Sequence, residues 1–170
     1  MKSNVKPKMK IKIFSIGGTI DKVYFDQLSA YQIGGPSIRD IFSHLPLNFE
    51  YEVTAMIRKD SLDMTDDDRQ LLREAVERDP CEKILVTHGT DTMVETAKTL
   101  ADIPDKIIVL TGAMEPARFK TSDAVFNVGC AVGALQCLPP GVYIAMNGRI
   151  YDPHTIQKNR QAGRFEEVSK

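Results

Sequence analysis

KILVTHGTDTM, residues 83–93, opens as a buried strand and turns polar within two residues. Lys83 to Thr87 is short and rich in β-branched side chains, the composition of a strand covered on both faces. A helical pattern over 91–102 follows after a brief polar turn, and Thr92 with Glu95 three residues on reads as its capping box. A strand that passes through a polar turn into a helix is one half of a strand–helix–strand unit, and the rest of the chain repeats it.

Residues 10–16, 51–57, 106–111 and 141–146 share the strand character, and helical patterns lie over 37–44, 65–79 and 122–138. The pattern over 65–79 has a threonine cap, an acidic first turn and a basic last turn. This alternation, with no paired hairpin strands before the C-terminal end, predicts an α/β fold: a doubly wound, mostly parallel sheet with flanking helices in a single domain. The expected boundaries are an N-terminal tail over 1–9, a domain over 10–162 and a charged, frayed C-terminal tail over 163–170. Two irregular stretches are long for such a domain, Asp21 to Pro36 and Glu115 to Thr121. The first is long enough to act as a lid.

Composition narrows the partners. At 170 residues with 42% apolar side chains, the chain can bury one good core. Its 22 basic and 23 acidic residues give no general attraction to nucleic acid or an anionic membrane, so a small molecule is the expected partner. Cys81, Cys130 and Cys137 are odd in number and in no CxxC or Cys/His spacing, which argues against a disulfide framework and against a zinc site. A reducing cytoplasm is the setting they predict, with Cys130 and Cys137 as small apolar fillers on one helix face. The lysine-bearing start has no signal-peptide core, and no stretch reaches the ~20 apolar residues of a membrane span.

In an open parallel sheet, ligands bind beyond the carboxyl ends of the strands, where strand order reverses. Beyond the first strand stands SIGGTI, residues 15–20, whose glycines permit a sharp turn with exposed N–H groups and bring Thr19 to the strand end. It is neither GxGxxG nor a Walker A loop. Beyond the third strand, His88 reads as a packed, paired histidine and Thr92 as a cap, which leaves Thr90 and Asp91 unassigned. With strands one and three adjacent, Thr19 and the Thr90–Asp91 pair face each other. Two threonines, a carboxylate and free amides suit acyl transfer, a reaction that still needs a base.

GGTI at 17–20, the DxM of SLDM at 61–64, THGTDTM at 87–93 and TGAM at 111–114 together resemble the motifs of the bacterial-type L-asparaginase family, which includes asparaginase/glutaminases. The resemblance spans nearly the whole chain and matches the N-terminal, active-site domain of full-length members. It implies Thr19 as nucleophile and Thr90 with Asp91 as part of a second catalytic group, completed by a lysine at a fixed distance from an MN dipeptide. MNGRIYDPHTIQK, residues 146–158, puts Lys158 there. It further implies that Asp91 holds the substrate's α-amino group and Ser61 its α-carboxylate, with Asp63 in the same pattern. Gly18 and Gly89 lie at the turns whose amides would hold the oxyanion, and Ala113 and Met114 would line the pocket near the side-chain amide. Leu62 stands where members often have a polar residue, so one carboxylate contact is expected to be missing.

The family also uses a tyrosine from the loop after GGT. Tyr31, in YQIG, matches its pattern, and Tyr24 has the shorter tether; the shorter loop favours Tyr24 slightly. Full-length members carry a second domain that contributes an acidic residue to a neighbouring subunit's site, and the chain is expected to stand without it. The resemblance implies hydrolysis of L-asparagine with no metal or cofactor, in a homodimer or higher homo-oligomer. An amidase acting on glutamine and a non-catalytic amino-acid sensor are the alternatives.

Overall fold

The computed structural model describes residues 8–25 and 30–168, so most of the expected N-terminal tail and the last two residues lie outside it. Ten strands are present among these residues: β1 (Lys10–Gly17), β2 (Lys22–Phe25), β3 (Ala30–Ile33), β4 (Glu50–Lys59), β5 (Lys83–Thr87), β6 (Ile107–Thr111), β7 (Gly141–Met146), β8 (Arg149–Tyr151), β9 (Ile156–Asn159) and β10 (Arg164–Glu167). The helices are α1 (Ser37–Ser43), α2 (Asp66–Arg78), α3 (Met93–Leu100) and α4 (Ala124–Cys137).

Six strands form one sheet in the order β4-β1-β5-β6-β7-β8. The first five pair in parallel, and β8 turns back antiparallel on β7. The strand period of two sorts each buried run between two cores. Phe14, Ile16, Ile84, Val86, Ile108 and Leu110 face the side covered by α2 and α3. Ile11, Ile13, Leu85 and Val109 face the side covered by α1 and α4. Burial on both faces explains why these strands read as continuous apolar runs. Strand order reverses at β1, whose neighbours are β4 and β5, so the crevice forms beside its carboxyl end.

Four expectations are corrected. The stretch between Asp21 and Pro36 carries a β2–β3 hairpin, with Tyr24 directly opposite Tyr31. Its side chains are largely exposed, so it leaves no buried alternation in the sequence. The segment expected to fray after Gly163 instead forms β10, paired with β9, because Phe165 buries itself beside Tyr151 and Ile156. Thr92 does not cap α3: its hydroxyl donates to the Ser61 carbonyl at 2.8 Å, whereas the capping box on α2 is made by Thr65 and Asp68. Cys137, expected as a filler, is exposed, while Cys81 and Cys130 are half-buried; all three are free thiols.

Candidate functional site

The site is assembled where the exits of β1, β5 and β6 converge. Gly17 and Gly18 have φ of +91° and +88°, a region that costs ordinary side chains about 1–2 kcal/mol. Space is equally restrictive: a Cβ on Gly18 would lie 2.3 Å from the Gly89 Cα. A Cβ on Gly89 would in turn lie 2.6 Å from the Ser61 Cβ. The turns carrying Thr19 and Thr90 are therefore in backbone contact, the Ser61 side chain packs against the Gly89 backbone, and only glycine permits the approach. A register shift between β1 and β4 brings the Lys59 carbonyl to the Gly18 N–H at 3.0 Å, fixing the first turn.

Thr19 is half-buried and begins a 3-10 turn through Asp21. Asp21 itself is 1% exposed. It accepts from Ser15 Oγ at 2.9 Å and from the Ser37 N–H at 2.7 Å, and its own carbonyl accepts from the Gly34 N–H at 2.7 Å. Burial pushes its carboxyl above the ordinary range, against the hydrogen bonds from Ser37 and Ser15 and the charge of Arg58. Asp21 thus ties the Thr19 turn to β1 and to the segment that follows the hairpin. A lone aspartate after a strand carries no pattern, so the sequence does not single it out.

On the other side, Thr90 is 7% exposed and receives a hydrogen bond from Lys158 Nζ at 3.0 Å. The same nitrogen lies 3.2 Å from Met114 Sδ and 5.2 Å from the Phe165 ring centroid. Lys158 stands on β9, whose pairing with β10 holds it against this face. Burial lowers its pKa from the ordinary lysine value, opposed by the charges of Asp91 and Asp123. An amine with a weakened hold on its proton, beside a hydroxyl, is equipped for proton transfer. Asp91 and Lys158 share a cavity of about 290 Å³ with Glu95, Lys98 and Arg160.

Other site residues divide clearly. Ser61 is 2% exposed and its hydroxyl has no hydrogen-bond partner among the described residues, as a group does when its partner is a ligand. Leu62 and Asp63 are exposed, and the Asp63 side chain makes no hydrogen bond among the described residues. Ala113 is buried, while Met114 is half-buried beside Lys158. His88 is fully buried and paired at both ring nitrogens, with the Gly89 carbonyl at 2.7 Å and Thr96 Oγ1 at 2.8 Å. Burial lowers its pKa to about 4, so it stays neutral near pH 7. Tyr24 and Tyr31 stack edge to face at 5.4 Å, and Tyr31 meets Phe119 at 6.3 Å, which joins the hairpin to the second irregular stretch. Neither tyrosine is hydrogen-bonded to Thr19 among the described residues. The described residues hold no cluster of three or more His, Cys, Asp or Glu arranged to bind a metal ion. None of their helices is long and apolar enough to cross a membrane.

Residues 10–166 match the family described as Asparaginase, N-terminal. A probable periplasmic L-asparaginase of Haemophilus influenzae is 31% identical over 170 residues, covering 92% of this chain and 48% of that protein. Among solved structures, the thermostable L-asparaginase from Thermococcus kodakarensis superposes with a TM-score of 0.84 at 25% identity, covering 94% of this chain and 51% of that one. A probable cytoplasmic L-asparaginase from Campylobacter jejuni gives 0.74 at 27% identity, with 94% and 52% covered. The chain spans about half the length of the curated relatives it matches.

Proposed function

The chain belongs to the asparaginase family, and from that premise we propose that it hydrolyses L-asparagine to L-aspartate and ammonia through an ester on Thr19. The observation that carries this reading is the 3.0 Å contact between Lys158 Nζ and Thr90 Oγ1, made across 68 residues of sequence. A structural threonine needs no half-buried lysine at its hydroxyl; a proton-transfer pair does.

Thr19 Oγ attacks the side-chain amide carbon, its proton passes to the departing nitrogen, and ammonia leaves the Thr19 ester. Backbone N–H groups of the Gly18 and Gly89 turns stabilise the oxyanion. The Ala113 carbonyl accepts from the amide NH₂, beside Met114. Water then attacks the ester, with Thr90, Lys158 and Asp91 moving the proton and balancing charge. Asp91 also holds the substrate's α-amino group, and the unpartnered Ser61 hydroxyl holds its α-carboxylate. Asp63 stands outside this contact. Tyr24 assists Thr19 from the hairpin, with Tyr31 opposite it. No step calls for a metal or cofactor.

A homodimer or larger homo-oligomer fits the exposed Phe25, Phe119 and Phe126 side chains, and the three free thiols fit a cytoplasmic setting. The test is ammonia release from asparagine and from glutamine by the purified protein, alongside Thr19→Ala and Lys158→Met. Release from asparagine that falls by about 10³-fold or more in both variants is expected. Full activity in Thr19→Ala would sink the nucleophile. A wild type inert toward both amides that still binds aspartate would be a sensor instead.

A further inference from the structure

The first turn of α4 stands outside the catalytic set, yet it grips two segments that the site must hold together. Asp123, just before the helix, accepts from the Met114 N–H at 2.9 Å, from the Glu115 N–H at 3.3 Å and from Asn127 Nδ2 at 2.8 Å. Asn127, fully buried, also donates from Nδ2 to the Gly112 carbonyl at 3.0 Å. Its Oδ1 accepts from the Asn147 N–H at 3.0 Å. Asn147 and Gly148, with φ of +53° and +79°, form the turn that reverses the chain toward β8 and so toward Lys158.

One helical turn therefore holds the exit of β6, which carries Met114, and the exit of β7, which leads to Lys158. The two segments meet again where Lys158 Nζ touches Met114 Sδ at 3.2 Å. Asp123 makes no ion pair among the described residues, so its charge is not consumed by a cation of its own. The charged groups around Lys158 are Asp91, Glu95 and Lys98 across the cavity, Arg160 after β9, and Asp123 on the α4 side. Among the described residues, Asp91 and Asp123 oppose the effect of burial on the amine.

We propose that Asp123 and Asn127 are positioning residues for Lys158: together they hold the β6 and β7 exits and so set the contact between Met114 and the amine. The carboxylate that bonds the Met114 N–H also favours the charged form of that amine. This inference rests on the reading of Lys158 as the proton-handling group, and its test has a readout separate from turnover. Protein labelled with ¹³Cε-lysine is titrated by NMR, the Lys158 signal being the one absent from Lys158→Met.

Asp123→Asn is expected to move the Lys158 midpoint down by about half a pH unit or more, because a nearby carboxylate favours the charged amine. Asn127→Ser, which keeps every charge, is expected to move it by less than half as much and to slow ammonia release about tenfold with little change in KM. An unmoved midpoint in a folded Asp123→Asn protein overturns the charge role. Unchanged ammonia release in Asn127→Ser overturns the positioning role. If Asp123→Asn does not fold, Asp123→Glu replaces it: a midpoint close to wild type supports the charge role, and a fall of half a pH unit overturns it. A wild type without amidase activity would refute the proposed function, while the titration would still decide whether Asp123 controls the amine.

Discussion

The Thr90–Lys158 half of the site and the Thr19–hairpin half differ in what holds them. Thr90 follows directly from β5 at the centre of the sheet, and Lys158 is pinned by β10, Met114 and Phe165. The hairpin half is anchored at Asp21 and Gly34, but Tyr24 and Tyr31 beyond that anchor are 53% and 51% exposed. Core packing preorganises the first half. The second has few buried contacts to fix it and is the half in which substrate or a partner surface can still alter the geometry. The two halves touch where Gly18 meets Gly89, so their agreement depends on backbone contact.

The largest expected effect comes from breaking that contact. Gly18→Ala places a methyl 2.3 Å from Gly89 at a φ of +88°. Ammonia release should vanish, and denaturant unfolding should show a loss of about 3 kcal/mol. Thr90→Val tests the rigid half alone. Removing one proton-transfer hydroxyl should lower kcat by about 10²–10³-fold while the melting temperature changes little, since the side chains are nearly isosteric. Retained kcat would mean that the Lys158 contact is structural.

The rigid half also has a pH signature of its own. His88 has a folded-state pKa of about 4 against an ordinary value of 6.5. The unfolded chain therefore takes up this proton first as pH falls below about 6.5, and about 3 kcal/mol of stability is lost by the time pH reaches about 4. Urea unfolding at pH 7 and pH 4 should show that loss, reduced in His88→Gln. The smallest effect belongs to the exposed half: Tyr24→Phe should lower kcat about tenfold and Tyr31→Phe less than threefold, both with unchanged melting temperatures. The reverse order would transfer the role to Tyr31.

Much of this is legible in the sequence. The parallel strands and α1–α4 follow the expected spans closely, because burial on both faces writes itself as continuous apolar, β-branched runs. The β2–β3 hairpin was not legible, since KVYF and AYQI lie outside the core and have no buried face to impose a pattern. Thr92 misled for a related reason. Its capping signal was real, but a carbonyl of the Ser61 turn, distant in sequence, competed for the hydroxyl and won.

By itself, the sequence determined the strand–helix alternation and the two glycine turns, local properties set by side-chain period and backbone freedom; the resemblance of its motifs to those of the asparaginase family is what singles out Thr19, Thr90, Asp91 and Lys158 as residues to bring together. Tertiary structure alone decided that Lys158 reaches Thr90, that Ser61 is buried against Gly89, and that Asp21, Asp123 and Asn127 hold the turns in place. Each of those is a contact between segments far apart in the chain. It depends on the order of strands in the sheet and on the desolvation that packing imposes, and neither is written in any single stretch of sequence.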